Sequence, residues 1–212
     1  EGWSVKWLVR EIALTEAYQR SAPSDEQPFL EADPENRLFS RAPRRRLEAE
    51  AMRDAILFAS GRLDPVAGGP TIRPAASNDY SYAQDSLRRS VYLPVLRTSL
   101  PEFLEAFNLA DTSRTTGKRD LGTVAPQALL MMNHPFILEE ATHAATRIQA
   151  EGTCDESRLE LATYRVLGRA PLESERALVA NLLAATPAGG EGEAWSTILQ
   201  GLFASLDFRY LE

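Results

Sequence analysis

Two groups of residues have the types and spacing that chemistry needs. The run "NLADTSRTTGKRDLGT", residues 108 to 123, sets Asp111, Arg114, Lys118, Arg119 and Asp120 just ahead of the apolar stretch "VAPQALLMMNHPF". A helix start carries unpaired amide hydrogens and the positive end of the helix dipole. An anion could be held there by backbone amides together with Arg119. The same charges can also pair among themselves and merely fix the loop, which is the simpler of the two readings. Further along, Glu140 and His143 form an E-x-x-H pair on one helix face, half of a di-metal carboxylate site. The other half is missing, because the only other histidine, His134, has Met131 three residues before it. No metal is therefore assigned. The sequence contains no H-E-x-x-H, no G-x-S-x-G and no phosphate-binding P-loop.

Several other residues are weaker candidates. Arg44, Arg45, Arg46, Arg88 and Arg89 suit either anion binding or ion pairing. The single cysteine, Cys154, can form neither an internal disulfide nor a cysteine-rich metal site. Its neighbours Glu151, Asp155 and Glu156 disfavour a thiolate, so it reads as a half-buried residue near a helix start. Trp3, Trp7 and Trp195 could stack on sugars, but their helical settings favour core or helix-docking roles.

Charge narrows the partners. The net charge is −7, yet residues 37 to 119 hold 14 Lys and Arg against 9 Asp and Glu, while the rest holds 9 against 21. That balance argues against a general nucleic-acid binder and leaves a local anion site in the middle third. Pairing of those arginines with acidic helices is the alternative. Only Lys6 and Lys118 are lysines. Arginine's planar fork favours two-point contact with carboxylate, sulfate or phosphate.

The elements that must position these residues are helices. Residues 4 to 20 carry Val5, Leu8 and Ile12 at helical spacing, with Ser4 placed to cap them. "RRRLEAEAMRDAILFASG" aligns Leu47, Ala51, Met52, Ala55, Ile56 and Ala59, with Gly61 as the stop. A short helix begins at Pro101. Thr123 is the expected cap of the next helix, with Pro126 in its first turn; Leu129 to Met132 are too continuously apolar for a surface helix, so burial is expected. After "NHP", a helix runs over 135–151. A further helix capped by Asp155 ends at Gly168, and another starts at Pro171. The last, from 194 to 211, has Trp195, Ile198, Leu199, Leu202, Phe203 and Leu206 on one stripe.

Between these lie a proline-rich connection over 21–43 and a loop of about twenty residues after Asp64, a length usually tied to function or disorder. "RRSVYLPVLR" reads as a short extended segment limited to an edge by Pro94. The fold class is therefore all-α: an irregular multi-helix bundle, one domain over residues 1–212, with one long irregular arm from about 62 to 97. A chain of 212 residues buries about 70% of its unfolded surface, enough for a real core. No apolar run approaches the ~20 residues of a membrane span. The opening "EGWSVKWLVREIAL" is amphipathic and lacks the pattern of a signal peptide and an initiator methionine, as expected of a piece of a longer chain.

"GWSVKWLVREIALTEAYQR", "NRLFSRAPRRRLEAEAMRDAIL", "RRSVYLPVLR", "PQALLMMNHPF" and the closing "LDFRYLE" follow one another in the order of a known family. The chain resembles the uncharacterised planctomycete C-terminal domain that follows cytochrome-c-like domains. The resemblance implies a C-terminal fragment of a large exported multidomain protein, periplasmic or cell-surface, with haem in upstream domains. It implies no activity. The chain has no C-x-x-C-H, so no cofactor is expected in this domain. The loop over 108–120 also departs from the family, with Asn108 where Asp is usual, no proline and no cysteine.

The expected function is a helical binding or interaction module. It would dock other domains of its parent protein, or a polyanionic polysaccharide, through Arg88, Arg89, Arg114, Lys118 and Arg119 with Asp111. One rival is an enzyme domain with its site in the 108–123 loop. Another is a structural cap, for which a broad apolar patch near the N-terminus is expected.

Overall fold

The computed structural model describes residues 2–22, 33–72, 82, 84–96, 99–110, 115, 117, 119, 122 and 125–211. Its contacts divide the chain into two compact units, Leu47–Arg209 and a smaller one of Glu1–Arg46 with Tyr210–Glu212. The all-α expectation holds. Among the described residues the only sheet is two residues deep: β1 (Arg45–Arg46) pairs antiparallel with β2 (Tyr210–Leu211), Arg45 opposite Leu211.

The larger unit runs α2 (Ala49–Ser60), a 3-10 turn (Ser90–Tyr92), α3 (Glu102–Ala106), α4 (Ala125–Asn133) and α5 (Pro135–Glu151), then α6 (Asp155–Leu167), α7 (Glu173–Ala185), α8 (Glu191–Ala204) and α9 (Leu206–Arg209). α5 and α8 are the most extensively packed pair, and α2 lies against α5. Ala141, Ala144 and Ala145 of α5 are buried at i, i+3 and i+4, the spacing of one helix face. Trp195 and Phe203 of α8, with Met52, Ile56 and Ile137, are fully buried in the same core. Each such large side chain contributes roughly 1.5–3 kcal/mol. Chain breaks follow local chemistry: Gly61 and Gly168 end α2 and α6 in left-handed conformation, at φ 80° and 72°. His134 caps α5 by accepting the Phe136 amide, and Pro135 occupies the first position, where its missing N–H costs nothing.

In the smaller unit α1 (Val5–Ala13) is capped as expected, the Ser4 hydroxyl accepting the Trp7 amide at 3.2 Å. Its apolar stripe of Val5, Leu8, Val9 and Ile12 faces solvent. Asp33 takes the amides of Leu38 and Arg37 at 2.8 and 2.9 Å, which hold its carboxyl below the usual range.

Several readings need correction. Ala51 is exposed and Arg53 is buried in α2, because the Arg53 guanidinium turns inward to donate to the carbonyls of Ser86 and Arg88 and the hydroxyl of Ser90. Only the flanks of "RRSVYLPVLR" are extended, Arg88 bridging Asp64 and Leu96 bridging Ser99, and its centre, Ser90–Tyr92, is a 3-10 turn. Asp54 draws it in, accepting the Ser90 amide and hydroxyl, both at 2.7 Å. α4 buries only Gln127 and Met131, leaving Leu129 61% and Met132 56% exposed, because this short helix packs by one edge. Cys154, not Asp155, caps α6; it is exposed, and hydrogen bonding to Ser157 lowers its thiol despite the acidic neighbours. The final helix breaks at Ser205, which leaves Leu206 exposed, and Trp3 and Trp7 are exposed while Trp195 is core. The expected cap Thr123 lies outside the described residues.

Candidate functional site

Arg88, Arg89 and Arg119, singled out from the sequence, are each paired within the fold. Arg119 forks onto Glu50 of α2 at 2.7 and 2.9 Å and reaches Glu48 at 3.3 Å. Burial pushes the Glu50 carboxyl up, but the hydrogen bonds and charge of Arg119 together with a backbone amide outweigh it and hold the group below its usual range. Arg88 donates to the carbonyls of Pro70 and Gly68 and lies 4.5 Å from the centre of the Tyr92 ring. Arg89 sits 3.5 Å from Asp54. Each guanidinium is already engaged by carboxylates or loop carbonyls, so it organises the fold before any ligand arrives. The other three expected residues, Asp111, Arg114 and Lys118, lie outside the described residues.

The E-x-x-H pair also separates. Glu140 is buried and bound by Arg62 at 3.0 Å; His143 is exposed, with Glu139 its nearest acid at 3.8 Å. Burial pushes the Glu140 carboxyl above its usual range, opposed by the Ser60 hydroxyl and Arg62. Among the described residues no cluster of three or more His, Cys, Asp or Glu is arranged to hold a metal.

What the helices do build is a cleft between α3, α4 and the start of α5. Gln127, fully buried, donates to the carbonyls of Ala106 and Gly122 at 2.9 and 3.2 Å and ties α4 to the end of α3. Phe103 packs on Phe107 and Phe136, ring centres 4.9 and 5.5 Å away, and wedges α3 against α5. These anchors use one side of α3 and one edge of α4. The sides left over face each other across a cleft of about 550 Å³, floored by Pro126, Leu129 and Leu130 and rimmed by Glu102 and Glu105. His134 stands at its end. Its Nδ1 accepts the Phe136 amide, so the neutral ring carries its proton on Nε2, which points at Glu102 at 3.4 Å. Among the described residues Glu105 has no ion pair and no Lys or Arg lines the cleft.

Sequence reading missed this site because it took the apolar run of α4 as burial. The signal was there in the spacing: Pro126, Leu129 and Leu130 fall at i, i+3 and i+4, opposite the E-x-x-E of the preceding helix.

The cleft lies wholly inside the span covered by a family model, PSD1, described as "Protein of unknown function (DUF1553)", which matches residues 1–183. The chain belongs to that family. The PSD1 match runs from α1 into α7, so the cleft and the α2 anchors of Arg119 and Arg89 are family territory, while α8, which completes the core, lies beyond it. The closing "LDFRYLE" also lies outside the match. No curated protein and no solved structure matches the chain.

Proposed function

We propose that this PSD1 chain is a helical protein-interaction module that docks another domain of its parent polypeptide through the α3–α4 cleft. The observation that supports this most is the open edge of α4, where Leu129 and Met132 stand more than half exposed beside a cleft with an apolar floor. Covering a large apolar side chain is worth roughly 1.5–3 kcal/mol, which a docked partner recovers. The resemblance to a domain that follows cytochrome-c-like domains supplies the setting: an exported planctomycete-type protein, with haem carried upstream. A polyanionic partner is disfavoured, because it would have to displace Glu50, Asp54 or loop carbonyls from Arg119, Arg89 and Arg88.

The test is a calorimetric titration of the chain with the remainder of its parent polypeptide. Leu129→Glu is expected to weaken binding at least about tenfold, near 1.4 kcal/mol, whereas Arg89→Glu leaves it unchanged. The reverse pattern would replace the cleft with the arginine surface. The exposed stripe of α1 favours a second reading, a structural cap. In that case Leu8→Asp lowers the melting temperature of the parent protein without altering the titration.

A further inference from the structure

The rim of the cleft says what kind of segment fits it. Glu102 and Glu105 lie at i and i+3 on α3, so both carboxylates project from one face. Glu105 has no ion pair among the described residues, and Glu102, with 79% of its side chain exposed, meets only the His134 ring at 3.4 Å. Among the described residues the lining holds no Lys or Arg to balance them. Several acids on helix surfaces are matched by arginine: Glu50 by Arg119, Glu151 by Arg147 and Arg165, Glu175 by Arg169. The rim lacks such a match among the described residues and stays acidic beside an apolar floor.

Resting on the docking reading above, we infer that the seated segment is a cationic amphipathic helix. Its apolar side chains lie on Pro126, Leu129 and Leu130, and its Lys or Arg side chains meet Glu102 and Glu105. A neutral segment covering this floor would strip water from two carboxylates and return no partner to them. An acidic segment would be repelled outright. The open trough and the spacing of its floor suit a helix laid in a groove, which presents anchors at i, i+3 or i+4 and i+7. His134 Nε2 lies 3.4 Å from Glu102 at one end of the cleft.

The experiment uses two synthetic helical peptides of alanine with leucines at i, i+4 and i+7. One carries flanking arginines; its twin carries citrulline, the neutral isostere, at the same positions. Each is titrated into the chain at low and high salt by calorimetry, with methyl NMR of Leu129 and Leu130 reporting the place of binding. The arginine peptide should bind at least about tenfold more tightly at low salt, with the advantage shrinking as salt rises. Glu102→Gln with Glu105→Gln should erase the advantage while leaving the citrulline peptide's binding unchanged. Both changes are at exposed positions and should leave the melting temperature in place. Leu129→Glu should remove the binding that the two peptides share. Equal affinity of the twins, an advantage that survives the double Gln variant, or binding by neither peptide overturns the inference. None of these bears on the parent-protein titration, which tests the docking reading separately.

Discussion

Glu140 carries a charge that the fold serves poorly. It is buried in α5 with Oε2 lacking a hydrogen-bond partner, while Arg62 holds Oε1. Burial raises its folded pKa above the ordinary 4.5. The folded state therefore binds this proton more tightly than the unfolded chain does. Its contribution to stability is complete below about pH 4.5 and is lost as pH rises through the folded value. Glu50, Glu151 and Glu175 have lowered pKa values and act in the opposite sense, losing stability as pH falls, so the wild-type curve alone mixes the two. The difference from Glu140→Gln isolates it. Urea midpoints from about pH 4.5 to 8 should show wild type losing ground to the Gln variant as pH rises. A constant difference would mean that Arg62 fully compensates the burial. From the sequence, Glu140 was visible only as half of a metal motif. Its burial follows from the packing of α2 on α5, which no local pattern of charges announces. The arginines were legible as pairing groups. Their partners were legible only in part: Arg62 pairs with Glu139 and Glu140 of α5, in the acidic remainder of the chain, whereas Arg119 and Arg89 pair with Glu48, Glu50 and Asp54 at or beside α2.

Element ends were the most legible feature, and they carry a graded prediction. The helix over 135–151 and the glycine stops at 61 and 168 appear where the caps placed them. Both glycines have positive φ, so alanine at either costs about 1–2 kcal/mol of backbone strain. They differ in surroundings. A Cβ on Gly61 would sit 2.9 Å from Nη1 of Arg147, while one on Gly168 would meet nothing within 4 Å. Gly61→Ala should therefore lower the thermal midpoint more than Gly168→Ala, measured side by side by circular dichroism; equal losses would show that Arg147 simply swings away. Element facing was far less legible. The run "ALLMMN" announces an apolar helix, but a run without a clear period does not say which side is covered. α4 has one edge on the core and another in the cleft, and composition reads the same for both. The turn at Ser90 was hidden for a related reason: β-branched and aromatic residues suggested extension, and the carboxylate of Asp54, thirty-six residues away in the chain, decided otherwise.

For the whole molecule, helical periodicity made the all-α class readable, since nearly every long segment repeats its apolar residues at three and four. The division into two compact units was not readable, because it depends on contacts of Arg45 and Arg46 with Tyr210 and Leu211 at opposite ends of the sequence. The proposed docking role rests on one surface, and Met132 reports on it, with the other two methionines as buried references. Met52 and Met131 are fully buried, and Met132 is 56% exposed on the open edge of α4. Peroxide converts accessible methionine to its sulfoxide. In the isolated chain Met132 should therefore oxidise alone, with Met52 and Met131 intact. The most direct measurement is the rate of that oxidation, followed by peptide mass spectrometry, in the isolated chain and in the intact parent polypeptide. Docking at the cleft and its α4 edge predicts a rate at least about tenfold slower in the parent, corresponding to burial of that edge for most of the time. An unchanged rate would contradict it.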